Sequence, residues 1–283
     1  MMAPLLLEQW DALIDRHGCN AILSVGTTAC MFGFCFFFTA LDAILHHFPT
    51  THFGRWLRSR KLQAKNKQPS WTAGLHVSMM NILCLHAPMT YFLFDPRAAP
   101  AAGRDLPSVG GALWQLWWLF VVEDFLAYWL HWVEHEWKFL YRHSHKWHHS
   151  VLAPTAFHFI YMHPLEYVLG GACGGIATLC VTPHFSVLLL FALLRIWQGV
   201  CEHGGYAFPA SPWAFLPFVS DAEWHDAHHS LNKGKNLGEV FMVWDYIAGT
   251  YHPCEGKGGE RTRWMPWWRR RTAAARKRAG KGE

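Results

Sequence analysis

Three histidine patterns in this 283-residue chain have the spacing of metal ligands. His131-Trp-Val-Glu134-His135 reads HxxxH, while His145-Lys-Trp-His148-His149 and His225-Asp-Ala-His228-His229 both read HxxHH. On a helix, residues three and four apart share a face, so each pattern is expected to aim its imidazoles in one direction. Six of the 20 histidines fall between residues 131 and 149, which an even spread does not produce. Eight imidazoles exceed the four ligands of a structural zinc and the three of a catalytic one, so the count points to two metal ions. Imidazole suits iron, zinc, copper and nickel, and nitrogen ligands alone do not choose among them.

Two other chemistries use the same residues. His131, Glu134 and His135 also read as HxxEH, an inverted zinc-peptidase signature with Glu134 as general base. That reading leaves both HxxHH patterns without a task. A bis-histidine haem anchor is the non-enzymatic alternative, although haem-binding pairs usually sit on separate membrane helices and these histidines cluster. His143, His158 and His184 lie near the patterns but outside their spacing.

The elements that must position these groups are apolar. Hydrophobic side chains make up 52% of the chain and charged ones only 16%, with 17 tryptophans. So little charge cannot cover a water-facing shell of this size, and disorder and nucleic-acid binding drop out with it. The net charge of +5 is carried by a tail: residues 257–283 hold ten Lys/Arg against two acids, leaving residues 1–256 with 15 basic and 18 acidic side chains. The eight cysteines form no CxxC pair and read as buried thiols.

Residues 21–41 carry no formal charge, and as a helix they span roughly 31 Å, enough to cross a bilayer. A basic loop follows (Arg55, Arg58, Arg60, Lys61, Lys65, Lys67), which the positive-inside rule places in the cytosol. Residues 70–94 return the chain to the far side, 95–111 form a Pro/Gly loop, and 112–130 cross back. Residues 166–200 read as a hairpin broken at Pro183. The expectation is an all-α integral membrane protein with four to five embedded helices and a cytosolic helical cap holding the histidines. It divides into a membrane region (1–111), a catalytic region (112–252) and a basic tail (253–283).

Glu123 and Asp124 lie inside the third segment, where acids are costly enough to be functional candidates. Asp124 shares a helical stripe with Tyr128, His131 and His135, a placement from which it can orient a ligand imidazole. Asp226 and Glu223 are weaker candidates for that role.

The blocks EDFLAYWLHWVEH (123–135), LYRHSHKWHHS (140–150), MHPLEY (162–167), EHGGYAFP (202–209), EWHDAHHS (223–230) and VWDYIAGTY (243–251) occur in an order that resembles the fatty acid hydroxylase superfamily of membrane non-haem di-iron enzymes. The resemblance covers roughly residues 115–252. It implies two iron ions held by His131, His135, His145, His148, His149, His225, His228 and His229, with His203 of EHGGY as a ninth ligand. His163 of HPLE is implied as a packing or ligand-orienting residue. It further implies oxidation of a sterol, sphingoid or acyl lipid by dioxygen in the endoplasmic reticulum. Electrons would come from NAD(P)H through a separate cytochrome b5 and its reductase, since no attached cytochrome domain is visible.

Overall fold

The computed structural model describes residues 2–63, 74–92, 106–208, 219–231 and 234–252. The tail expected at 253–283 and most of the Pro/Gly loop lie outside the described residues, as do Lys65 and Lys67. All regular elements among the described residues are helical; β pairing is limited to isolated bridges between Lys61 and Tyr206 and between Val219 and Phe241.

Helix α1 (Met2–His47) contains the first expected span but extends well beyond it. It bends at Gly18, whose φ of 75° and ψ of 154° interrupt the helix at a conformation that costs glycine little. Helix α2 (His52–Arg60) carries three basic residues of the expected cytosolic loop and is capped by Thr51, whose hydroxyl accepts from the amide of Gly54. Lys61, at its end, is buried and ion-paired with Asp42 of α1 at 2.7 Å.

Within the segment expected at 70–94, the described residues form one continuous helix whose middle is π-helical: α3 (Leu75–Met80), a π-helical turn (Asn81–His86) and α4 (Ala87–Phe92). The turn buries Asn81, whose side-chain amide donates to the carbonyls of Ile160 and Met162, both at 2.9 Å. An extra residue in a helical turn re-aims the side chains around it, here towards residues 160–162.

Helix α5 (Val109–Glu136) contains the third expected span. It buries Leu119, Phe120, Glu123, Asp124, Ala127, Tyr128, His131 and Glu134, a stripe at three- and four-residue spacing. Its opposite face exposes Trp114, Trp117, Trp118, Phe125 and Trp129. Among the described residues, three helices are long and apolar enough to cross a membrane: Leu7–His47, Pro164–Val181 and Phe185–His203. Helix α5 is not among them, because its tryptophans and its four acids (Glu123, Asp124, Glu134 and Glu136) lower its hydropathy.

The expected hairpin is present as α7 (Pro164–Val181) and α8 (Phe185–His203). It reverses at Thr182, which takes a left-handed φ of 47°, followed by Pro183 and by His184, whose ring caps α8. Helix α5 packs on both arms, and α1 packs on α8. Aromatic and aliphatic side chains fill the seams in two clusters, one around Phe38, Phe157 and Val200 and the other around Phe120, Phe185 and Phe191. Short elements complete the histidine end: α6 (Lys138–Leu140), a π-helical turn (Tyr141–His145), 3-10 turns at His148–Ser150 and Ala156–Ile160, α9 (Ala222–Leu231) and α10 (Val243–Ala248).

Candidate metal centre

All nine histidines expected as ligands converge, in two groups. His131, His135, His145, His149 and His228 form one; His148, His203, His225 and His229 form the other, and within each group the ligand nitrogens lie within 4.8 Å of one another. Each HxxHH pattern is split between the groups, contrary to the expectation that it points one way. Its first and last histidines (His145 and His149; His225 and His229) serve one group, and its fourth residue (His148; His228) serves the other. Successive helical residues diverge by about 100°, so neighbouring imidazoles straddle two centres while the i, i+4 pair meets at one.

The sequence builds these positions locally. Helix α5 ends by placing His131 and His135 one turn apart on its buried side. The π-helical turn after α6 swings His145 inward, and the 3-10 turn carries His148 and His149. Helix α8 ends on His203, and α9 begins where the Asp221 carboxylate accepts from the amide of Trp224 at 2.9 Å, an N-cap geometry.

Backbone carbonyls determine which ring nitrogen carries the proton. His131 Nδ1 lies 3.0 Å from the Leu237 carbonyl, His148 Nδ1 3.2 Å from Tyr161, His203 Nδ1 2.8 Å from Gly199, His228 Nδ1 2.8 Å from Lys235 and His229 Nδ1 3.1 Å from Val151. A carbonyl only accepts, so each Nδ1 donates and each neutral ring presents a bare Nε2 lone pair to the interior.

Those lone pairs face one another. The Nε2 atoms of His148 and His203, both fixed in this way, are 3.2 Å apart with no proton to share. Nε2 contacts of 2.9–3.1 Å recur for His203 with His225, His225 with His229, His149 with His228 and His135 with His145. The Nε2 of His131 is buried with no hydrogen-bond partner. Protonation does not relieve the crowding: burial, then neighbouring imidazoles, holds His145, His225, His228 and His229 well below the ordinary histidine range, and burial pushes His148 down to about 4. Neutral imidazoles with converging lone pairs are what a pair of divalent cations requires, so the donor set fits two metal ions.

The remaining candidates stand apart from this cluster. The Asp124 carboxylate accepts from the amides of Val240 and Phe241 at 2.8 and 2.9 Å and from the indole of Trp244 at 2.8 Å, not from an imidazole. It fixes the segment that brings the Leu237 and Lys235 carbonyls to His131 and His228. Asp245 assists by accepting from the amides of Leu237 and Gly238. His163 caps α7, its Nδ1 accepting from the amide of Leu165 at 3.1 Å. Asp226 accepts from the side chain of Gln63 at 2.8 Å. His158 is buried beside Thr155 in a capping box, and His184 caps α8 at the Pro183 end of the hairpin. Tyr128, on the same stripe as Asp124, bonds Thr250 at 2.6 Å.

Glu134 does not sit where the peptidase reading needs it. It lies 3.7 Å from Nδ1 of His145, behind that ring and opposite its metal-facing nitrogen. The Nε2 contacts of 2.9–3.2 Å leave no room for a haem macrocycle between those rings. Glu166, whose carboxylate accepts from His145 Nδ1 at 2.8 Å, was not singled out by spacing. The only trace in the sequence is its place in the HPLE block.

A family model described as fatty acid hydroxylase matches residues 116–250. Among similar proteins, a very-long-chain aldehyde decarbonylase of Oryza sativa subsp. indica is 31% identical over 258 residues, covering 88% of this chain and 93% of the relative. The C-4 methylsterol oxidase of Schizosaccharomyces pombe is 31% identical over 238 residues, covering 80% and 75%. Methylsterol monooxygenase 2-2 of Arabidopsis thaliana is 31% identical over 201 residues, covering 69% and 75%. No solved structure matches the chain. With the histidine geometry, the family match and relatives aligned over 75–93% of their own length in agreement, the chain belongs to the fatty acid hydroxylase family.

Proposed function

We propose that this protein is an oxygen-dependent membrane lipid oxidase that attacks an unactivated C–H bond of a sterol or long-chain lipid in lipid biosynthesis. The observation that carries the reading is the convergence of nine imidazoles into two metal-sized groups at the end of apolar helices. A pair of iron ions held by His131, His135, His145, His149 and His228 on one side, and by His148, His203, His225 and His229 on the other, would supply the dioxygen reduction that C–H oxidation needs. Zinc satisfies the same nitrogen ligands but lacks redox chemistry.

The chain's own residues do the rest. Carbonyls behind five of the rings and the Glu166 carboxylate behind His145 hold those tautomers and leave the Nε2 lone pairs available to a metal. Burial of eight of the nine imidazoles keeps bulk water from the centre; His135 alone is half-buried. It borders a cavity of about 220 Å³ lined by Lys138, Tyr141, Arg142 and Lys146. That cationic mouth suits an acidic electron carrier, which supports reduction by cytochrome b5. The exposed Trp114, Trp117, Trp118 and Trp129 on α5 favour a bilayer boundary and a substrate that arrives from lipid. The basic residues of α2 favour a cytosolic histidine end by the positive-inside rule, which supports an endoplasmic reticulum membrane with the site facing the cytosol.

The test is lipid analysis of membranes expressing the chain with cytochrome b5 and its reductase under oxygen, supplied with methylsterols, sphingoid bases and very-long-chain aldehydes. The aldehydes belong in the panel because the rice relative aligned over 93% of its length is a decarbonylase. Oxygen gain on a sterol methyl group supports the reading; no change in any lipid, with metal bound, overturns it.

A further inference from the structure

Two sequence motifs are left over once nine imidazoles are assigned, and both end on a buried glutamate beside the same ring. Glu134 belongs to the HxxEH reading and Glu166 to the HPLE block. Glu166 Oε1 lies 2.8 Å from His145 Nδ1, and Glu134 Oε2 lies 3.7 Å from the same atom. Glu134 is 4% exposed and Glu166 is 6% exposed, and Glu134 Oε1 and Glu166 Oε2 have no hydrogen-bond partner. Five other ligand rings donate their Nδ1–H to a neutral backbone carbonyl. His145 is therefore the one ligand, among the described contacts, whose proton is held by a carboxylate.

The local fold explains the placement. HPLE is a helix start: His163 caps α7, Pro164 occupies its first turn, and Glu166 sits in that turn, where the positive end of an 18-residue helix favours a carboxylate. Glu134 lies one helical turn after His131, on the buried stripe of α5.

We propose that Glu166, supported by Glu134, is the positioning carboxylate of the five-histidine centre and makes it electronically unlike the four-histidine centre. This rests on the reading of the two groups as a metal pair. A carboxylate behind an imidazole forms a charge-assisted hydrogen bond, shifts electron density towards Nε2 and strengthens that ring as a donor. The five-histidine group gains this from His145, whereas three rings of the four-histidine group (His148, His203 and His229) have neutral carbonyls behind them.

The experiment uses the full-length chain in lipid nanodiscs, stripped of metal and titrated with Co²⁺, followed by visible absorption and metal analysis. Wild type is expected to bind two ions per chain. Glu166→Gln keeps the shape and loses the charge. It is expected to weaken one of the two ions roughly 10- to 100-fold and to shift that ion's absorption bands, leaving the other ion's unchanged. Glu166→Asp should regain part of the affinity, which a purely space-filling role does not predict. Glu134→Gln should weaken the same ion by a smaller factor, and it carries the test if Glu166→Gln does not fold.

Unchanged affinity and bands in the glutamine variants overturn the inference. Equal loss at both ions, with a lower melting temperature of the metal-free protein, also overturns it. Three ions in wild type, with one lost in Glu134→Gln, would make the carboxylates ligands and overturn it too. Fewer than two ions in wild type instead sinks the metal-pair reading on which it depends.

Discussion

The two histidine groups share a residue type and touch, with the His149 and His229 rings stacked at 4.9 Å, yet their surroundings differ. The four-histidine group is wholly buried, and three of its rings (His148, His203 and His229) are pinned by backbone carbonyls. The five-histidine group includes the half-buried His135, borders a cationic cavity and has two carboxylates behind His145. Carbonyls fix geometry without adding charge; carboxylates add charge, and a half-buried ring adds access. On the proposed reading, one centre is built to be held and the other to be reached and tuned.

Several measurements can break or sharpen this contrast. The largest effect is expected from His148→Ala combined with His149→Ala, which removes one ligand from each group. Metal content should collapse and lipid oxidation should vanish; a double variant that retains both ions would dissolve the distinction. Next, His225→Ala and His228→Ala each strip one group, from the same helix and with the same chemistry. Metal analysis should find about one ion fewer in each, with different spectra for the ion that remains. A zinc peptidase centred on His131 and His135 would keep its activity in the His228 variant.

A smaller effect is expected from Asp124→Ala. Three donors lose their acceptor, each at a cost of about 1–3 kcal/mol, and the melting temperature should fall by several degrees. Because the freed segment carries the carbonyls that hold His131 and His228, metal titration should show the five-histidine ion weakening first. The smallest effect is expected from His163→Ala. Loss of the α7 cap should cost about 0.5–2 kcal/mol in thermal melting, with both ions retained. Loss of an ion there would mean that the His163 cap is needed to hold Glu166.

The helices were legible because their signals are local. An uncharged run, a proline between two apolar runs and a three- and four-residue stripe each report the surroundings of a few neighbouring residues. The hairpin at Pro183 and the α5 stripe follow directly. The π-helical turn at Asn81 was not legible, since the carbonyls its side chain bonds lie 79 and 81 positions away. Asp124 shows the limit of stripe arguments. It shares the ligands' face of α5, but its carboxylate is saturated by a segment more than 110 residues downstream.

The amino-acid sequence alone determined the ligand chemistry, the count of imidazoles that implies two ions, and the apolar helices that place them at a membrane, because residue type and short-range periodicity are properties of the chain itself. Only the tertiary structure decided which imidazole serves which centre, which nitrogen of each ring is free, and which ring has a carboxylate behind it. Those outcomes depend on rotations of about 100° between neighbouring residues and on acceptors brought from distant segments, neither of which spacing encodes.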